Sequence, residues 1–190
     1  TSVLLPLVPL LREGLIDPKD IVADAKSGAT GAGRTPREDL LFCEVAENFS
    51  AYSPGRSHRH VGEIEAVLAD RTGRRVELTF CPHLLPVKRG ILTALYVKPT
   101  ADLAELKRAL KAAYDGAAFV HVMDGTPPRL SDVVETNDCR ISVHAAAPGR
   151  AVVRLTIRTT SKTAGEATRL AADRSAQVLD ALRGKLGPGD

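Results

Sequence analysis

The patterning of this 190-residue sequence predicts an α+β fold, a mixed and largely antiparallel sheet with helices packed on one face. Three observations carry the prediction. Residues 75–80 alternate, with Val76, Leu78 and Phe80 on one side, and residues 90–98 form a second, more apolar run that the 82–89 loop can join to the first as an antiparallel pair. Residues 140–144 and 151–158 read as a hairpin across Pro148-Gly149. Residues 102–114 place Leu103, Leu106 and Leu110 at i, i+3 and i+7, the stripe of an amphipathic helix. Strands in hairpin-like pairs with helices between them differ from the strict β–α alternation of a doubly wound domain.

Each element has its own local reason. Thr1 or Ser2 can cap a helix running to about Leu15, with Gly14 near its end and Asp17-Pro18 stopping it; Pro6 and Pro9 weaken that helix. The apolar run 3–11 is too short to span a bilayer and has no basic flank before it, so it fits a buried helix entering from upstream sequence. Residues 21–25 read as a short buried strand, 28–33 as a glycine loop, and 40–52 as partly extended. Residues 61–70 form a helix ended by Thr72-Gly73, and Cys81-Pro82 is expected to break the strand before it. Residues 119–123 read as a strand, 126–129 as a proline turn, and 164–182 as a final helix. There is no internal repeat.

Composition narrows the function classes. The hydrophobic fraction of 44% supports a real core, while aromatics are only 4% with no Trp, so Leu, Val, Ala and Ile carry the packing. The net charge of +3, with no Lys/Arg run interleaved with aromatics, excludes an obvious nucleic-acid binder and suits an anionic small molecule. No membrane segment is expected. The three cysteines, Cys43, Cys81 and Cys139, contain no Cys-x-x-Cys pair, which argues against a disulfide framework and for a reducing, cytoplasmic home. They read as small hydrophobes rather than nucleophiles.

Two segments carry candidate chemistry. His58-Arg59-His60, followed by Glu63 at the mouth of a helix, joins two imidazoles that titrate near neutrality to a guanidinium able to fork onto a carboxylate or phosphate; the plain alternative is a solvated loop. No third ligand accompanies the two histidines, so no metal is expected. Gly28-Ala29-Thr30-Gly31-Ala32-Gly33-Arg34-Thr35 nearly spells a phosphate-binding loop, but Arg34 stands where lysine belongs and Pro36 arrives early. A more modest reading has backbone N–H groups near an anion, with Lys26, Ser27 and Arg34 adding charge and donors; a surface loop is the third. No Gly-x-Gly-x-x-Gly fingerprint occurs, so a dinucleotide would bind mostly outside this chain. His83, Lys88 and Arg89 bracket either an anion-contact loop or an ordinary turn, and His121 and His144 read as packing histidines.

In order along the chain, these segments resemble the N-acetyl-gamma-glutamyl-phosphate reductase family of arginine biosynthesis. Thr1-Ser2-Val3-Leu4-Leu5-Pro6 is similar to the helix after the family's Gly-Cys-Tyr-Pro-Thr motif, and Asp24-Ala25-Lys26-Ser27-Gly28 to its Lys-Ser-Gly loop. Glu44 to Phe49, His58-Arg59-His60 with Glu63, Pro82-His83-Leu84-Leu85-Pro86 through Ile91, and Thr136-Asn137-Asp138-Cys139 complete the match over about residues 1–145. Thr30 replaces a family serine, Val61-Gly62 replaces Thr-Pro, and residues 159–166 keep only the lysine and Ala-Gly of the family's cofactor-side run.

The resemblance implies a glyceraldehyde-3-phosphate-dehydrogenase-like C-terminal domain. It implies that a cysteine three positions before Thr1 attacks an acyl phosphate, and that NADP chemistry reduces the thioester to N-acetyl-glutamate semialdehyde. It gives His60, His58 and Glu63 catalytic roles, Arg59, Ser27, Arg34 and Lys26 the substrate N-acetyl-gamma-glutamyl phosphate, and Gly28, Gly31 and Asn137 cofactor contacts. Residues 1–160 would be the catalytic, substrate and oligomerisation domain of a homo-oligomer. Residues 161–190 would be a helix packing on the missing dinucleotide-binding half, without which the chain is expected to be inactive. Two rival readings stay open: a non-enzymatic binding or oligomerisation remnant, and a nucleotide binder using residues 28–35.

Overall fold

The computed structural model describes residues 1–33 and 35–157. Arg34 and the expected helix at 164–182 lie outside the described residues. In chain order the regular elements are α1 (Leu4–Arg12), β1 (Ile16–Gly28), α2 (Phe42–Val45), β2 (Ser50–Ala51), α3 (His60–Thr72), β3 (Leu78–Leu85), β4 (Ile91–Pro99), α4 (Leu103–Ala113), β5 (Val120–Val122), β6 (Cys139–Ala147) and β7 (Arg150–Ile157). The strands form one seven-stranded sheet in the order β2-β3-β1-β4-β7-β6-β5. β1 runs parallel to β3 and β5 to β6, and the other four pairings are antiparallel, so the sheet is mixed as expected.

The period-2 alternation of the strands fixes which side chains share a face. Ile21, Ala23 and Ala25 of β1 stand beside Leu78 and Phe80 of β3 and Leu95 and Val97 of β4. Val153 and Leu155 of β7, then Ile141 and Val143 of β6, continue that face, and all of these are buried. Helices cover it: α1 is buried from Leu5 to Leu11, α3 contributes Val61 and Leu68, and α4 contributes Leu106 and Leu110.

α1 carries Pro9 in its interior, which leaves the Leu5 carbonyl without the N–H of the residue four positions on. The buried Tyr114 hydroxyl supplies the missing donor, at 2.5 Å from Leu5 O. Burial pushes the Tyr114 pKa up, with the nearby Cys139 adding to it and Arg12 acting against it, so the phenol stays a donor.

Four expectations are corrected. β3 and β4 do not pair with each other, because β1 lies between them. β1 spans 13 residues rather than five. Pro82 does not end β3: its carbonyl accepts the Tyr52 N–H, so the nitrogen without hydrogen also points to the edge side, where proline breaks no ladder bond to β1. Finally, the residue preceding α1 is Val3, with no side-chain cap; Ser2 Oγ instead takes a hydrogen bond from the buried Thr93 hydroxyl at 2.9 Å.

Candidate active site

The start of α3 builds the imidazole pair. A 3-10 turn over Gly55–Ser57 delivers His58, Arg59 already has helical angles (φ −54, ψ −29), and His60 opens the helix. The His60 backbone N–H, unpaired within the helix as every first-turn donor is, donates to His58 Nδ1 at 3.2 Å. The two rings meet edge to face with centroids 5.0 Å apart, while Phe80 lies 4.8 Å and Tyr52 5.8 Å from His58.

That packing lowers the His58 pKa, desolvation first and then the charges of His60 and Arg59. Because Nδ1 accepts a backbone hydrogen, a neutral His58 carries its proton on Nε2 and is a donor there. His60 is exposed, and its ring nitrogens make no hydrogen bond among the described residues. Arg59 is likewise exposed and makes no ion pair among the described residues.

Glu63, one turn into α3, makes no hydrogen bond to either imidazole among the described residues. Glu63 and Cys139 instead lie within electrostatic reach of the Thr1 backbone. Thr93 sits opposite Ala25, so its bond to Ser2 sets the beginning of α1 over the sheet one pleat before Ser27 on the same face. Asn137 precedes Cys139 by two residues, at the start of β6. The structure therefore brings residues 1–2, Glu63 and Cys139 together near the beginning of α1, over the sheet face that Ser27 shares, with the imidazole pair at the start of α3.

Lys26 is not part of this gathering. Alternation turns it to the opposite face of the sheet, where it pairs with Asp24, whose Oδ1 also lies 3.3 Å from His83 Nδ1. Phe49 stacks on His83 at 5.1 Å. Sequence reasoning missed this second cluster, and it missed Phe80 and Tyr52 as the walls of His58. The Phe80 role was recoverable in principle, since its predicted strand face is the face the helices cover.

The start of the glycine loop is held by backbone. Gly28 N–H donates to Gly90 O (2.9 Å), Ala29 N–H to Val87 O (3.0 Å) and Thr30 N–H to Lys88 O (3.1 Å), and the Thr30 hydroxyl also donates to Lys88 O (2.7 Å). A Cβ on Gly28 would lie 2.8 Å from Val87 O and 2.9 Å from Arg89 N. Glycine is required at position 28 because two backbones touch there. A Cβ on Gly31 would meet Ser27 Oγ at 3.0 Å, so Ser27 and Gly31 are neighbours.

The mixed sheet covered on one face by helices is the architecture of a known class of domain. The chain belongs to the semialdehyde dehydrogenase, dimerisation domain family, whose model matches residues 1–157. Among individual proteins it is similar to the N-acetyl-gamma-glutamyl-phosphate reductase of Rhodospirillum rubrum, 51% identical over 157 residues, covering 80% of this chain and 44% of that protein. A probable chloroplastic N-acetyl-gamma-glutamyl-phosphate reductase of Arabidopsis thaliana is 43% identical over 157 residues, covering 80% of this chain and 39% of that one. The chain thus spans less than half the length of these relatives. Its fold is that of aspartate semialdehyde dehydrogenase II from Vibrio cholerae complexed with ASA (TM-score 0.66, 13% identity, 94% of this chain and 60% of that one). It is also that of a probable aspartate-semialdehyde dehydrogenase from Pseudomonas aeruginosa (TM-score 0.62, 19% identity, 83% and 55%).

Proposed function

We propose that this chain is the substrate and proton-transfer half of a cytoplasmic, homo-oligomeric, NADP-dependent reductase that converts N-acetyl-gamma-glutamyl phosphate to N-acetyl-glutamate semialdehyde. The observation that carries the reading is the His60 N–H to His58 Nδ1 bond beside the beginning of α1. In the completed enzyme a thiol upstream of Thr1 loses its proton and attacks the acyl carbon, phosphate leaves, and the thioester is reduced and released as the aldehyde.

The hydrogen bond divides the proton work between the two rings. His58 Nδ1 is occupied, so the neutral ring offers only an Nε2–H and serves as a hydrogen-bond donor to developing negative charge. His60 retains a ring nitrogen with which to accept the thiol proton. Arg59, exposed between them, has the fork geometry for the substrate's carboxylate or phosphate, with Ser27 and Arg34 assigned to the same task. NADP is assigned largely to the upstream half. The described residues do not fit it as a phosphate cradle, since the N–H groups of residues 28–30 are already donated, which leaves Gly31 and Asn137 as the contacts proposed from this side.

The test is steady-state kinetics of the complete polypeptide with the acyl phosphate. His60→Asn is expected to lower kcat about a hundredfold, the usual share of a general base. His58→Gln should cost less, because the amide retains an N–H donor. A His60→Asn enzyme with wild-type kcat overturns the assignment.

A further inference from the structure

We propose that Glu65 is a positioning residue for the imidazole pair, acting through a fork onto Arg56. This deepens the proposed function and rests on it for its kinetic consequence. Glu65 Oε1 accepts from Arg56 Nη1 at 3.1 Å and from the Leu78 backbone N–H at 3.1 Å, and Oε2 accepts from Arg56 Nη2 at 2.8 Å. One carboxylate therefore ties together α3, the 3-10 turn that delivers His58, and the first residue of β3. The Glu65 side chain is 16% exposed against 71% for Arg56, so the carboxylate is the fixed end of the pair. Its pKa is lowered: burial works to raise it, and the Arg56 hydrogen bonds, the Leu78 N–H and the charges of Arg56 and Arg75 outweigh burial.

The consequence follows from connectivity. Arg56 is two residues before His58, and the Ser57 hydroxyl donates to Pro54 O at 2.8 Å, so the 54–58 turn moves as a unit. Phe80, which walls His58, is two residues beyond Leu78 on β3. Glu65 thus holds both the turn that carries the ring and the strand against which the ring packs. Without the fork, His58 loses its registry with the His60 N–H, and that bond fixes its tautomer.

The experiment uses the complete enzyme with Glu65→Gln, Arg56→Gln and the double variant. Glu65→Gln keeps an acceptor for Leu78 N–H, and Arg56→Gln keeps Glu65 whole, so each breaks the fork while sparing the strand contact. Each single variant should lower kcat about tenfold with KM changed less than twofold, within the range that ångström-scale misplacement costs, and the double variant should be no worse than either. Independently of turnover, NMR titration of the His58 ring, which Tyr52, Arg59 and His60 also face, should show its pKa rising toward the ordinary histidine value in all three variants. Wild-type kcat and an unmoved His58 titration overturn the proposal. A loss confined to Glu65→Gln also overturns it, since Glu65 would then act through Leu78 alone. If the wild-type enzyme fails to turn over the acyl phosphate, the parent function falls, and the His58 titration still decides the role of the fork.

Discussion

Gly28→Ala separates two explanations of the glycine loop by stability alone. Gly28 has φ −70 and ψ 157, angles any residue adopts, so alanine meets no conformational strain there. What it meets is backbone: Val87 O at 2.8 Å, Arg89 N at 2.9 Å and Arg89 Cα at 3.0 Å, none of which can rotate away. The 28–30 segment and the 87–90 segment must part, and four hydrogen bonds join them. At about 1 kcal/mol net for each bond, losing two or three costs about 2–3 kcal/mol, a figure similar to that of overpacking in general. The alanine recovers about 0.5 kcal/mol through the unfolded chain. A net loss of about 2 kcal/mol is expected, read in urea as a midpoint lower by about 1 M at unchanged m for an m of about 2 kcal/mol/M. Gly62→Ala is the matched control: it lies within α3, a Cβ there meets nothing within 4 Å, and it should stabilise by up to about 1 kcal/mol. A Gly28→Ala protein within 0.5 kcal/mol of wild type would refute the close-packing account.

Tyr114→Phe removes the donor that replaces the absent Pro9 N–H and leaves the buried Leu5 carbonyl unpaired, so chemical denaturation should show a loss of about 2 kcal/mol. Stability should also fall as pH drops from about 6.5, the ordinary histidine value. His58 and His144 have lowered pKa values in the folded chain, so the unfolded state takes up protons first and the native state loses ground until pH passes below the folded values. Tm measured from pH 7.5 to 5.0 should show this slope, and His58→Gln should flatten part of it; a slope unchanged by His58→Gln would count against a desolvated ring at that position.

Much of this architecture was legible because it is written locally. The Leu103, Leu106 and Leu110 stripe gave α4, Pro148-Gly149 gave the β6–β7 hairpin, and Gly73, left-handed at φ 65, closed α3 near where Thr72-Gly73 predicted. The parallel β1–β3 pairing was not legible, since the long connection between the two strands leaves no local mark of which strand it returns to. The length of β1 was hidden because Lys19 and Asp20 on one side and Lys26 on the other flank its apolar stretch, reducing the visible strand to 21–25. Gly28 shows a general ambiguity: the sequence reveals that a Cβ is unwanted, but not whether a ligand or another stretch of backbone needs the space. Lys26 and Ser27 are adjacent in sequence and both were assigned to the substrate, yet they face opposite sides of the sheet once the strand extends through them. The division of labour between His58 and His60 also required coordinates, since it depends on one N–H direction.

The central claim is that His60 takes up the proton of an upstream thiol while His58, with Nδ1 occupied, does not. The most direct measurement is the pH dependence of thiol alkylation in the complete enzyme, which reads the thiolate without requiring turnover. The account predicts that His60→Asn raises the pH at which the thiol becomes reactive toward that of an ordinary cysteine, while His58→Gln moves it much less. An identical thiol profile in wild type and His60→Asn, or a larger shift for His58→Gln, would contradict it.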